Sequence, residues 1–295
     1  MKVRGGERTF NFINNLILII IGIICLYPIW FVLIASISAP GAINAGEVIF
    51  LPKGLNIDAY KGLLEKKSIW IGYRNTIFYT ILGTVINLGV QIPCAYALSR
   101  STLPGRSVIN TMLVITMYFS GGMVPSFLLV NALGMYDTVW ALVLPGAVRA
   151  YSIIVARSFF MSNVPESLYD AARIDGCGYT RFFMQIVLPL SKSIVAILSM
   201  FSIQTHWNSY MQPKIYLYSK NKFTLQQIVQ QISAGLDSTL TALEGEDLVA
   251  FIAKFQEQQL MKYAVVVVSA APLVLVYPLV QKYLIRGVMV GAVKG

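Results

Sequence analysis

Carboxylates are scarce in this 295-residue chain, and the places without them are informative. There are 13 Asp and Glu against 23 Lys and Arg. None falls between Glu65 and Asp137, between Asp175 and Asp237, or after Glu257. The long apolar runs are therefore free of carboxylates, and His206 is the sole histidine. Proton-driven carriers and pumps depend on intramembrane Asp, Glu or His relays, so ion-coupled transport is disfavoured. His206, near the outer end of an apolar run, reads first as a packed or interfacial ring and only second as a relay. No GxxxxGK[ST] phosphate loop occurs, which excludes the usual ATPase. No HExxH, paired Asp or Ser/His dyad in or near the apolar runs suggests an intramembrane enzyme. Cys25, Cys94 and Cys177 are scattered and give neither a disulfide framework nor metal-ligand spacing.

Charge of either sign is also low, at 12% of residues with 56% hydrophobic and a mean hydropathy of +0.67. Soluble chains carry about 25% charged residues. Repeated runs of about twenty apolar residues make this an all-α, polytopic membrane protein. The net charge of +10 then reflects basic residues flanking spans beside anionic lipid, with no nucleic acid implied.

Six spans are expected, at about Phe12–Ile37, Ile71–Leu98, Ser107–Leu133, Thr138–Met161, Ser193–Met211 and Lys262–Leu284. The first is too long for a signal peptide's ~7–15-residue apolar core, and Pro28 is expected to kink it. Arg100 and Arg106 place the turn Leu103-Pro104-Gly105 on the cytoplasmic side, with both termini. The whole chain, 1–295, reads as one transmembrane domain with core spans at 70–285. Residues 165–190 form a cytoplasmic loop and 213–261 an extracytoplasmic segment. Within the latter, Leu225, Ile228, Val229 and Ile232 give an amphipathic helix.

The loop PESLYDAARIDGCGYTRFFMQIVLPL, Pro165–Leu190, mixes charge, helix signals and glycine in order. Pro165 suits a first helical position and Glu166 the positive end of the helix dipole. Gly176 and Gly178 stop this helix, and Thr180 caps a second one that Pro189 ends. Two short helices on a glycine elbow make either a docking knob or an amphipathic connector on the membrane surface; periodicity alone does not separate the two.

Among polar residues inside the spans, Arg149 stands out, beside Ala150, Tyr151 and Ser152. A mid-membrane arginine faces a cavity or a polar partner. It either contacts substrate, favouring carboxylate-bearing sugars, or bonds carbonyls freed by a Pro145-Gly146 break. Gln204, Trp207, Asn208 and Tyr210 suit a carbohydrate path, or an aromatic belt at the outer interface. Ser120-Gly121-Gly122-Met123 is a broken helix lining a cavity, or close packing through small residues.

Asp170-Ala171-Ala172, three residues, Gly176, nine residues, then Ile186, Leu188 and Pro189 resembles the EAA loop of ABC-importer permeases, with Asp170 where the family usually has Glu. Together with the six-span layout, Trp207-Asn208 and the ending Gly291–Gly295, nearly the whole chain resembles permease subunits of carbohydrate, maltose-type ABC importers. Phe119–Pro125 resembles a subgroup importing polysaccharide-derived oligosaccharides. The resemblance implies a type I importer permease fold in a bacterial cytoplasmic (inner) membrane. It implies a second homologous permease, two ATPase subunits that carry ATP and Mg, and an extracytoplasmic solute-binding protein. This chain would bind no cofactor and no metal. Asp170, Ala171, Ala172, Gly176, Ile186, Leu188 and Pro189, with Lys294 and Gly295 of the tail, would couple to the ATPases. Arg149, Tyr151, Gln204, Trp207, Asn208 and Tyr210 are path candidates read from the residues. A permease of this architecture for a non-sugar solute and a stand-alone carrier are the rival readings.

Overall fold

The computed structural model describes residues 5–241, 260–278 and 281; its regular structure is helical, with no strand among these residues. Contacts divide the chain into two compact units, Met1–Ile69 with Val229–Ala271 and Trp70–Ile228 with Pro272–Gly295.

The first unit begins with helix α1 (Gly5–Ser36), which continues through Pro28. Ser36 and Ser38 close its end, their hydroxyls donating to Leu33 O and Ile34 O. This satisfies two of the carbonyls that every helix end leaves unpaired. Short helices α2 (Pro40–Asn44) and α3 (Asp58–Glu65) follow.

Helix α4 (Lys67–Ser99) leads into the second unit. Between Asn75 and Ser99 it is apolar apart from a buried stripe of Thr76, Thr80, Thr84, Asn87 and Gln91, whose spacing of three and four keeps them on one face. Helices α5 (Arg106–Tyr118) and α6 (Met123–Ala132) meet at 115°. The break is at Gly122, φ +86°, a conformation that costs glycine little. Helix α7 (Trp140–Val143) is separated by Leu144–Arg149 from α8 (Ala150–Asn163). Then come α9 (Glu166–Ile174), α10 (Tyr179–Leu190), α11 (Lys192–Asn208) and α12 (Met211–Tyr216). α13 (Leu225–Thr241) buries Leu225, Ile228 and Val229, as the amphipathic pattern predicts. α14 (Leu260–Pro278) is the last described helix.

Three of these helices are long and apolar enough to cross a membrane: Phe10–Ser36, Lys67–Ser99 and Leu260–Pro278. The number rises to five if the bent pairs α5–α6 and α10–α11 each count as one span. The expected fourth span differs from its prediction. Pro145-Gly146 interrupts it, because proline cannot continue the hydrogen-bond ladder, and Arg149 sits at the start of α8 rather than mid-helix.

One core anchors the site end of the second unit. Ile92, Ala95 and Leu98 of α4 pack with Ile153, Ala156 and Phe160 of α8, Phe182, Phe183 and Val187 of α10, and Ile194 and Leu198 of α11.

Candidate functional site

The loop between α8 and α11 has an inner face and a bare outer face. Leu168 Nα donates to Pro165 O at 3.2 Å. Pro165 is thus the first acceptor, and the helix starts one residue later than predicted, at Glu166. Glu166 in the first turn and Arg173 in the last complement the helix dipole. Gly176 turns the chain at φ +75°. α10 then starts at Tyr179 after Gly178, whose carbonyl accepts from Phe182 Nα at 2.9 Å; this is the role expected of Thr180. Pro189 does not end α10. The ladder widens to a π-turn over Phe183–Val187, with Leu188 Nα reaching Phe183 O. That shift comes just before a proline with no N–H to give, and the break falls at Ser191, where α10 and α11 meet at 80°.

Ala172 lies in the core, with Ile186 and Leu188 packed against it, whereas Asp170, Ala171, Gly176 and Pro189 are exposed. Around them Ile174 is 86% and Tyr179 67% exposed. Tyr169 stacks on Tyr179 at 4.8 Å between centroids and meets the edge of Phe182 at 5.1 Å. The hydrogen bond with Tyr179, then burial, pushes the Tyr169 hydroxyl up to about 12, so it stays protonated at neutral pH. Arg100 lies over the Tyr96 ring and donates to Val164 O at 3.4 Å. Ser101 Oγ donates to Glu166 Oε1; this bond and the one from Ser101 Nα hold the Glu166 carboxyl below its usual value. Lys294 and Gly295 lie outside the described residues.

Within the same unit, Arg149, Tyr151, Ser152, Phe201, Gln204 and Thr205 line a cavity of about 250 Å³. Arg149 Nη1 donates to Thr205 Oγ1 at 2.5 Å. The carbonyl freed at Ala147 accepts from Gln91 Nε2 at 2.8 Å, so Gln91 takes the bond that the break was expected to offer Arg149. Of the six path candidates, three meet here: Arg149, Tyr151 and Gln204. Trp207 is 5% exposed, packs on Tyr73 at 6.4 Å and lines a different cavity, of about 360 Å³, with Thr80, Thr84 and Ile203. Asn208 ends α11, exposed, and Tyr210 precedes α12. At 100° per residue, Phe201, Gln204 and Thr205 share one face of α11 while Ile203 and Trp207 share the next. Sequence neighbours were read as one cluster; the helix divides them. The prediction also lacked Phe201 and Thr205, which the i, i+3, i+4 rule applied from Phe201 would have supplied.

Between these sites, His206 occupies the space left by Gly83, where a Cβ would come within 2.4 Å of Nε2. Asn87 Nδ2 lies 3.2 Å from His206 Nε2 and donates to Ser202 Oγ at 2.8 Å. The ring is packed and partnered, which agrees with the first reading of His206.

Asp137 organises the far end of the unit. Its carboxylate accepts from Tyr218 Nα, Ser219 Nα and Oγ, and Lys222 Nζ at 2.6–3.1 Å. Burial alone would push this carboxyl up; the bonds from Ser219, Lys222 and Tyr218 outweigh it and hold the group well below the usual carboxylate range. Nearby, Asn75 Nδ2 donates to Asn221 O and Phe223 O, and Tyr79 Oη to Lys222 O.

Comparison with known proteins places these features. Residues 67–290 match the family described as "Binding-protein-dependent transport system inner membrane component". The chain is similar to the polygalacturonan/rhamnogalacturonan transport system permease protein YtcP of Bacillus subtilis (strain 168). The two are 35% identical, over 98% of this chain and 99% of that protein. It is 32% identical to Protein LplC of the same organism, over 98% and 96% of the two chains. A chain from the crystal structure of a bacterial ABC transporter involved in the import of the acidic polysaccharide alginate superposes with a TM-score of 0.82. Identity there is 32%, covering 96% of this chain and 99% of that one.

Proposed function

The chain belongs to the inner membrane components of binding-protein-dependent transport systems, and from that membership we propose that it is a translocation subunit of an ATP-driven oligosaccharide importer. It crosses a bacterial cytoplasmic membrane several times, pairs with a second permease, and receives cargo from an extracytoplasmic solute-binding protein. ATP and Mg are bound by two separate ATPase subunits. The loop Pro165–Leu190 seats on those subunits and passes their closure to the spans, switching the path from inward- to outward-facing.

The observation that carries this reading is the two-sided loop. Its inner residues, Ala172, Phe182, Phe183 and Val187, are fixed in a core shared with α4, α8 and α11. Its outer residues, including Asp170, Ile174 and Gly176, face outward. A push on the outer face is thereby delivered to three helices at once, because a close-packed core transmits displacement instead of absorbing it. The acidic-oligosaccharide reading is supported by relatives whose names refer to polygalacturonan/rhamnogalacturonan and alginate. It is also supported by Arg149, which shares its cavity with Tyr151, Gln204 and Thr205 and, among the described residues, with no carboxylate.

The test is ATPase activity of the purified assembly in lipid, with binding protein loaded by acidic or neutral oligosaccharides. Stimulation by loaded binding protein, greatest with acidic chains, is expected. Activity indifferent to every sugar would move the cargo to another solute class. Uptake by the chain alone in vesicles, with no ATPase, would make it a carrier.

A further inference from the structure

A second basic site lies between α5 and α8, away from the Arg149 cavity. Arg106, Ser107, Asn110, Thr111, Val114 and Arg157 enclose about 400 Å³. Two of the six are arginines, and no carboxylate among the described residues lines the space; Glu166 feels the Arg106 charge but is held by Ser101 outside the lining. Arg157 is tethered by Nε to Leu98 O at 3.1 Å, which leaves its terminal nitrogens for another acceptor. The Arg106 side chain has no hydrogen bond to protein among the described residues, and its charge repels that of Arg157. α5 opens at Arg106 after Gly105, at φ +74°, with no side-chain cap, so the positive end of its dipole adds to the same field. Asn110 Oδ1 is buried without a donor.

Like charges held together in a half-enclosed space call for an anion, and the surroundings define it. Along α5 the lining changes from polar to apolar: Arg106, Ser107, Asn110 and Thr111 give way to Val114. Val114, Met117 and Tyr118 follow on the same face of the helix and are 43%, 43% and 80% exposed. A phosphate ester with a hydrocarbon tail matches that gradient; a free phosphate ion or a protein carboxylate leaves the apolar continuation uncovered.

We infer that Arg106 and Arg157 form a binding site for the headgroup of an anionic phospholipid, for which phosphatidylglycerol serves as the probe. Basic clefts between membrane helices are suited to such headgroups. The site adjoins the start of the Pro165–Leu190 loop, since α8 ends at Asn163 and Arg100 holds Val164 O.

The test counts lipids retained by the purified full-length assembly, by native mass spectrometry, after mixing with equal phosphatidylglycerol and phosphatidylcholine. Wild type should prefer phosphatidylglycerol by about 25-fold, from a roughly fivefold attraction for each of the two arginines. Arg106→Gln with Arg157→Gln should erase the preference, while the paired Lys variants keep part of it and report that folding is intact. Equal retention of the two lipids by wild type, or an unchanged preference in the double Gln variant, overturns the inference. Displacement of the lipid by millimolar inorganic phosphate assigns the site to the free ion and overturns it too. So does a cross-linker at position 106 that captures an ATPase subunit and no lipid. Retention is read without transport, so failure here leaves the importer reading untouched, and failure of that reading leaves this site intact.

Discussion

The two ends of the second unit solve opposite problems with similar material. Asn75 and Arg100 lie 25 positions apart along α4 and its end, about 37 Å of helix axis. At the Asn75 end Asp137, Lys222, Asn75 and Tyr79 find their partners within the chain. Asp137 holds φ +55°, an uncommon conformation for a side chain, and four hydrogen-bond donors over-determine it. At the Arg100 end the chain leaves apolar side chains uncovered: Ile174, Tyr179, Met184 and Leu190 are each more than half exposed. A closed end needs nothing more, and an open end is unfinished without a partner. Damage to the closed end should therefore appear as lost stability, and damage to the open end as lost coupling in a protein that still folds.

The sharpest break of that comparison is Gly176→Val. A Cβ there meets no atom within 4 Å, so sterics with the rest of the fold are not at issue. The residue does sit at φ +75°, where a β-branched side chain costs more than the roughly 1–2 kcal/mol of an ordinary one. Transport-coupled ATP hydrolysis should fall to background with membrane levels unchanged, while Gly176→Asn, which tolerates this conformation, keeps most of it. Normal coupling in the Val variant would remove the loop from the transmission path.

Asp137→Ala is the counterpart at the closed end. It strands several donors, and a loss of roughly 1–3 kcal/mol is expected in thermal unfolding of the detergent-solubilised chain. Because the folded carboxyl titrates well below its usual range, its stabilisation is complete above the unfolded value near ~3.9 and fades as pH falls toward the folded one. The gap between wild type and variant should stay constant from pH 8 to about 5 and narrow below that. A gap that widens on acidification would contradict the clamp.

Arg149→Ala tests the cavity between the two ends. It removes a charge and its bond to Thr205, and should raise KM for acidic oligosaccharides about tenfold, the low end for a hydrogen bond to a charged group. Neutral ones should change little. Equal losses for both would make Arg149 a brace for the α7–α8 break.

How far the sequence reached follows the same division. The open loop was legible because its order is local: a proline and a glutamate to start, glycines to turn, apolar residues at helical spacing. The family resemblance supplied the rest of that site. The closed end was not legible, since Asp137 finds its partners more than eighty residues away and nothing in the turn Gly134–Asp137 announces them. Arg149 was noticed for its charge, but its surroundings depend on a helix break and on which face of α11 looks toward it. The α4 stripe of Thr80, Thr84, Asn87 and Gln91 was readable by its period and went unread, because each residue looks unremarkable in an apolar run.

That stripe offers the finest probe of whether the two ends communicate. Gly83→Ala drives a methyl against the His206 ring, within 2.4 Å of Nε2. The ring is held by Asn87, which also holds Ser202. Overpacking of this kind costs about 1 kcal/mol where a ring can tilt to yield. Gly83→Ala with His206→Ala should recover that loss, because the methyl then has room, and the coupling energy of the double-mutant cycle measures the contact directly. If α4 and α11 move as one body, Gly83→Ala lowers stability and leaves the ratio of transport to ATP hydrolysis unchanged. A shift in that ratio, reversed by His206→Ala, would instead show that sliding at this seam is part of the switch.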